Sequence, residues 1–387
     1  MNLIFLSPHF PPNFYLFCEK LKQNNVCVLG IAEAQYDHFR PELKHALTEY
    51  YRVNDMQNYD QLLRACGYFT HWYGKIDRVE SHNEFWLETE AKLRTDFNIH
   101  GIKADTIANI TRKSKMKILF QEAGVAVAQG QLVKTVENAK QFVKNYGYPV
   151  VLKPDRGVGA AATWKAHHDS ELEAIFTKPF EVDYIIEKFI QGTLLSFDGL
   201  TDANGNIVFF TSHVFSQGIM ETVNEDRDIF YYSLRDIPED LEKAGRNIVK
   251  TFNVREKFFH IEFFRTTNKL IGLEVNIRPP GGLTMDMFNY ANDIDLYREW
   301  ANIVAFNEFQ TSYSRPWHCA YIGRKQTKTY VHSHEEIMNT FKNTIVHYEP
   351  IQSIFSPAIG NFGYIARAKT IKELSDISHT IQETKKG

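Results

Sequence analysis

Four residues beyond the middle of the chain, Glu262, Glu274, Asn276 and Arg278, have the types and spacing to do chemistry together. They lie in FFHIEFFRTTNKLIGLEVNIR, Phe258 to Arg278, which reads as a hairpin turning near Asn268. Side chains alternate across a strand, so Glu274, Asn276 and Arg278 share one face and Leu273, Val275 and Ile277 take the other, apolar face. The turn sets Glu262 opposite Glu274. Carboxylate and amide oxygens suit a hard cation such as Mg²⁺, which takes few protein ligands and fills its shell from substrate phosphates. An arginine beside them can grip a phosphate or carboxylate bidentately. A merely solvated face is the alternative, and it leaves the period-two order of E, N and R on a partly apolar hairpin without a cause.

Two lysines stand upstream. Lys113 lies in TRKSKMKILFQEAGV, where Met116, Leu119, Phe120 and Ala123 follow the spacing of an amphipathic helix that Gly124 ends. Lys113 and Lys117 fall on another face of it. Lys153 ends the buried strand Val150 to Pro154 and is followed by DRGVGAAATW. A loop with Gly157, Gly159 and Ala160 can bring backbone N–H groups close to phosphate oxygens. After the strand Tyr184 to Ile186 comes EKFIQG, Glu187 to Gly192, a strand end that could accept a flat ring.

The elements around these residues read as mixed α/β. Leu3 to Leu6, the helix Phe14 to Gln23 and Val26 to Ile31 form a strand–helix–strand unit, which implies a parallel pair. Helices are expected at Tyr59 to Ala65 and Asn83 to Asp96, with a strand at Tyr68 to Tyr73 between them. The first turn, SPHFPPN, is not a GxGxxG, so a nicotinamide cofactor is unsupported. Leu132-Val133 is a strand, Thr135 caps a helix to Tyr146, and Ser170 to Phe176 is a small helix. The tail from about Ser312 has strands at Trp317 to Ile322, Thr329 to Val331 and Gly363 to Ala366, and helices at Glu335 to Phe341 and Ile371 to Thr384.

The chain has 387 residues, a net charge of -3 and 14% aromatic residues, which suits a packed enzyme of two or three units. Nothing in that charge calls for nucleic acid or a membrane surface. Cys18, Cys27, Cys66 and Cys319 are scattered, without metal-ligand or disulfide spacing. With neither a signal-like start nor a membrane-length apolar run, a cytoplasmic protein is expected.

Taken in order, these pieces resemble the ATP-grasp superfamily over roughly residues 1 to 310. The run from Ala104 to Gly124 is similar to the leading segment of biotin carboxylase and carbamoyl phosphate synthetase, where a lysine lies eleven residues before the helix-ending glycine, here Lys113. The second ATP lysine of the family corresponds to Lys153, the phosphate loop to Asp155 to Thr163, and the adenine hinge to Glu187 to Gly192. The family's metal pattern, a Glu, a second Glu twelve residues on, then x-Asn-x-Arg, matches Glu262, Glu274, Asn276 and Arg278. The resemblance implies ATP, with Mg²⁺ (or Mn²⁺) on Glu262, Glu274 and Asn276. It implies phosphate contacts from Lys113, Lys153, Gly157, Gly159 and Ala160, adenine contacts from Glu187, Lys188 and Ile190, and catalytic roles for Lys153 and Arg278.

Two positions depart from the family. Leu194 stands where a glutamate usually binds ribose, which shifts that role to Ser196 or Asp198. The loop GVGAAAT lacks the usual serine. Between hinge and hairpin, His213, Ser216, Gln217 and Arg227 are candidate substrate contacts, and so are Gly281 and Gly282 in the turn after Arg278. His260 shares the metal face and reads as a donor to that site rather than a base.

The implied fold is ATP-grasp: a Rossmann-like unit at 1–108, the ATP-grasp unit at 109–310 with a lid at about 125–190, and an α+β cap at 311–387. The implied activity joins a carboxylate, activated as an acyl phosphate, to an amine, releasing ADP and phosphate. Bicarbonate activation and ATP binding without turnover are the alternatives. Small-molecule substrates and a homodimer complete the expectation.

Overall fold

A computed structural model describes all residues except 158–161, 178, 217, 219–221, 224 and 386–387. Gly159, Ala160 and Gln217 therefore lie outside the described residues.

The first sheet has four parallel strands, in the order Glu49–Arg52, Cys27–Ala32, Asn2–Leu6, Arg78–Glu80. The crossover from the first strand to the second runs through the helix Tyr15–Gln23, which buries Phe17, Cys18 and Leu21. The strand expected at Tyr68 to Tyr73 is not there. Tyr59–Tyr73 is one helix with Leu62, Ala65, Cys66 and Phe69 buried, and Gly74 ends it at φ +81°. Aromatic content suggested a strand, but the 3.6-residue period of the buried set prevails. The missing strand lies further on, at Arg78–Glu80.

A ten-stranded sheet forms the body. Along it run Ile345–Pro350, Phe362–Ala368, His318–Arg324, Phe230–Ser233, His213–Phe215, Thr193–Thr201, Phe258–Arg265, Leu270–Asn276 and Ala126–Val127, with Ile207–Thr211 pairing Thr193–Thr201. The tail thus continues the central sheet, through Tyr231 opposite Tyr321. The expected Thr329 to Val331 strand reduces to a single bridge, Tyr330 to Thr384. A third sheet of four antiparallel strands, in the order Gly130–Val133, Tyr184–Lys188, Val150–Pro154, Trp164–Ala166, stands apart. Its own small core includes Phe142, Val150, Leu152 and Ile186.

Buried charges join the first sheet to the body. Lys257, beside the strand Phe258–Arg265, hydrogen-bonds Glu80, and Arg78 donates to Glu256 at 2.5 and 2.8 Å. Arg94 pairs with Glu90 at 2.7 Å. Among the described residues no helix is long and apolar enough to cross a membrane.

Candidate active site

The hairpin pairs as its sequence demands. Glu262 lies opposite Glu274, and His260 opposite Asn276. A bulge follows Glu262, so that Phe263 pairs with Gly272. This corrects the expected face of Leu273. The extra residue reverses the alternation, and Ile271 and Leu273 line the cleft with Glu274 while Val275 and Ile277 remain in the core. Gly272 turns inward, where an added Cβ would lie 2.6 Å from the Phe120 ring.

The two lysines come from different elements held together by one carboxylate. Asp155, 1% exposed at the end of the Val150–Pro154 strand, accepts from Ser114 N at 2.7 Å and Ser114 Oγ at 3.0 Å. Its backbone oxygen accepts from Lys113 N at 2.8 Å. The helix Lys113–Glu122 is thereby tied by its N-terminal N–H groups to the strand that carries Lys153.

Lys113, Lys153 and Arg278 each have an acidic partner. Lys113 Nζ lies 3.1 Å from Glu274 Oε1 and donates to Gly157 O at 3.0 Å. Lys153 Nζ lies 2.9 Å from Glu187, whose other oxygen is 2.7 Å from Lys117 Nζ. Arg278 donates to Glu84 at 2.9 and 3.2 Å and to Pro279 O at 2.8 Å. Burial would raise the Glu187 carboxyl, but Lys153 and Lys117 outweigh it and hold it at about 2. Burial opposes ionisation of Glu274 too, and Lys113, then Lys153, bring it below its ordinary value. Glu84 is pushed up by burial, against the pull of Arg278 and with the push of Glu274.

Behind Glu262 sits a buried pair of histidines on one aspartate. Asp198 hydrogen-bonds His260 Nδ1, and also His213 Nδ1 at 2.8 Å. His260 Nε2 reaches Glu262 at 3.3 Å. Burial disfavours the imidazolium of His260, yet Asp198 and Glu262 raise it to about 10, so it is charged. Asp198 is held at about 2, burial being outweighed by His260 and His213. His260 therefore orients Glu262 as a donor, as its place on the strand suggested.

The structure brings Lys113, Lys153, Glu187, Lys188, Ile190, Ser216, Glu262, Glu274, Asn276, Arg278 and Gly281 onto one cavity of about 530 Å³. Phe189, Leu194, Phe264 and Ile271 supply its apolar walls. Gly157 accepts from Lys113 Nζ through its carbonyl and lines an adjoining cavity with Lys113 and Lys153. The Glu187 carboxylate serves the lysines, and Lys188 Nζ donates to Tyr148 O at 2.7 Å, so any adenine contact from Lys188 falls to its backbone. Ser196 and Asp198 are fully buried and committed to the histidine pair, which corrects their assignment to ribose. Arg227, 57% exposed, pairs with Glu225 at 2.5 Å and lines no cavity described here. His213 and Gly282 line a second cavity, of about 960 Å³, which shares His260, Glu262, Arg278 and Gly281 with the first.

Sequence reasoning left out Glu84, and gave Lys117 and Asp155 no role of their own. Lys117 was visible on the helix face of Lys113, four residues on. Glu84 comes from a distant part of the chain and no local pattern marks it.

Two carboxylates, an amide and two lysines on one cleft fit a divalent cation held jointly by protein and phosphate. The comparisons with known proteins agree. Residues 146–286 match the family described as the ATP-grasp domain. The chain is 24% identical over 302 residues to the L-arginine-specific L-amino acid ligase of Bacillus subtilis, covering 76% of this chain and 72% of that protein. It is 30% identical over 130 residues to the carbamoyl phosphate synthase large chain of Caldanaerobacter subterraneus, but these are 32% of this chain and only 12% of that much longer one. In fold it resembles the L-amino acid ligase of Bacillus licheniformis, with a TM-score of 0.74, 15% identity and coverage of 98% of this chain and 96% of that one. Residues 146–286 thus match the ATP-grasp domain, and the chain as a whole is similar to an L-amino acid ligase in sequence and in fold.

Proposed function

We propose that this protein is an ATP-dependent carboxylate–amine ligase that forms ADP and phosphate. The observation that carries the reading is the junction of two cavities at the hairpin: the lysines and acids of the first meet a larger second space at Glu262, Arg278 and Gly281. The amino acid ligases to which the chain is similar support the same class.

The chemistry requires two displacements. An oxygen of the acid attacks the γ-phosphorus of ATP and the bond to the β-bridging oxygen breaks, giving acyl phosphate and ADP. The amine nitrogen then attacks the acyl carbon, the C–O bond to phosphate breaks, and the nitrogen loses a proton. Positioning and charge neutralisation are what a protein contributes to the first step. Lys113 and Lys153 neutralise phosphate oxygens, and Arg278 holds the acid. Glu262, Glu274 and Asn276 would hold Mg²⁺, which would supply neutralisation of phosphate charge. Lys113 pairs with Glu274 and Arg278 with Glu84, so phosphate and acid would exchange partners with these groups on binding.

A space of about 960 Å³ beyond Arg278 suits an organic acid with its amine and is far larger than bicarbonate needs. The same reading divides the chain at 1–108, 109–310 and 311–387, with the antiparallel sheet of 125–190 as lid. A homodimer also belongs to it, and light scattering at a mass of 45.0 kDa would remove that part.

The test is ADP release with Mg²⁺-ATP and paired acids and amines. Turnover that needs both partners and falls by about 10²–10³ in Glu274→Ala supports the ligase. ADP release driven by bicarbonate alone would overturn it.

A further inference from the structure

The second cavity is walled by side chains from three distant parts of the chain. Phe10 comes from the first turn, Phe85 and Trp86 from the segment after the fourth parallel strand, and Ile354, Phe355 and Ile359 from the tail. Phe10 stacks on Phe355 at 5.7 Å, which closes one side. Gly282, at φ +63°, lets the tail come close, since a Cβ there would lie 2.8 Å from Ile359 Cδ1. Phe85 and Ile354 are 58% and 70% exposed at the edge of this cavity. Large apolar side chains left in water around a concave site mark a surface that a ligand covers.

Charge narrows what that ligand is. Among the described lining residues Arg278 is the one lysine or arginine, and the charged His260 is already held by Asp198 and Glu262. Arg278 lies at the junction with the first cavity, where an acid must be activated. A second carboxylate would meet only His260, which Asp198 and Glu262 already occupy. The acids on the wall are Glu262, beside His260, and the exposed Glu33, which already accepts from Met56 N at 2.6 Å. A cationic side chain would find both acids already engaged, Glu33 by Met56 N and Glu262 by His260.

We infer that the acid activated here carries a bulky apolar side chain of aromatic size, with its carboxylate on Arg278 and its side chain among Phe10, Phe85, Trp86 and Phe355. This rests on the ligase reading for which end reacts, but the pocket's preference is measured without turnover.

The test is titration calorimetry on the full chain with Mg²⁺ and a non-hydrolysable ATP analogue. The probes are L-phenylalanine, L-leucine, L-methionine and 3-phenylpropionate, against glycine, L-alanine, L-glutamate and L-arginine. The apolar acids should bind at least tenfold more tightly than glycine or alanine. Phe85→Ala and Ile354→Asp, both at exposed positions, should each weaken phenylalanine at least fivefold and leave binding of the ATP analogue unchanged. Tightest binding of glutamate, arginine or glycine, no binding of the apolar acids, or wild-type affinity in both variants would overturn the inference. ADP release measured in parallel separates the two readings. Apolar acids that bind but give no ADP with any amine refute the ligase and leave the pocket assigned. Turnover of charged or small acids alone does the reverse.

Discussion

Glu187 shows how one residue can organise a site without touching what is transformed. Its carboxylate is buried between Lys153 and Lys117, and both lysines lie within 3 Å of it. Removing it leaves two buried cations uncompensated, and breaking a buried pair in this way costs about 3–5 kcal/mol. Glu187→Ala should lower the urea midpoint accordingly and weaken ATP binding, as measured by calorimetry. A variant as stable as the parent would show that solvent reaches these lysines. Glu84 and Arg278 form the corresponding pair at the acid end. There burial raises the Glu84 carboxyl against the pull of Arg278.

Among the elements, the bulged hairpin has the most exacting requirements. Its alternation reverses after Glu262, and the inward position this creates is filled by Gly272 against Phe120. Gly272→Ala would force the buried Phe120 ring out of its place, an overpacking that costs about 1–3 kcal/mol. Its melting temperature should fall. ADP release should fall further than stability alone explains, because Glu274 and the helix of Lys113 share that contact. Unchanged turnover at a lowered melting temperature would mean that the bulge serves packing only. The helix of Lys113 is itself fixed through Asp155, so the placement of Lys113 beside Lys153 depends on these part-buried hydrogen bonds.

At the scale of the molecule, charge buried between the parallel sheet and the body governs response to pH. His82 lies at this junction at φ +55°, against Phe17 and Trp300 at ring separations of 4.1 and 4.3 Å. Neither of its ring nitrogens has a hydrogen-bond partner among the described residues. Burial lowers it from 6.5 to about 3, with Glu80 opposing, so the folded protein keeps it neutral. Below pH 6.5 the unfolded chain binds the proton that the native state refuses. Stability is thus full above the unfolded value and declines as pH falls toward 3, by about 1.4 kcal/mol per pH unit for this one group. His82→Asn tolerates the positive φ and removes the proton. Urea midpoints measured from about pH 6 to 4 should fall less steeply in this variant by one proton's worth. Equal slopes would place the titration elsewhere.

The local chemistry was written in the chain. Glu262, Glu274, Asn276 and Arg278 share a face because strand period is a property of the backbone, and Lys113 and Lys153 stand where a helix begins and a strand ends. Helix caps such as Thr135, and Gly124 at φ +76°, are equally local. Even so, YFTHWY misled, because its aromatic residues suit a strand while only the partners of Leu62 and Phe69 reveal the helix. What tertiary structure alone decided is which distant groups meet. Glu84 lies 194 residues from Arg278, and Phe10 packs on Phe355 across nearly the whole chain. Burial, which makes Glu187 a counter-ion and His82 a silent base, likewise depends on neighbours that no stretch of sequence contains. Spacing sets chemistry within one element. Partner choice between elements follows from packing, and packing is a property of the folded whole.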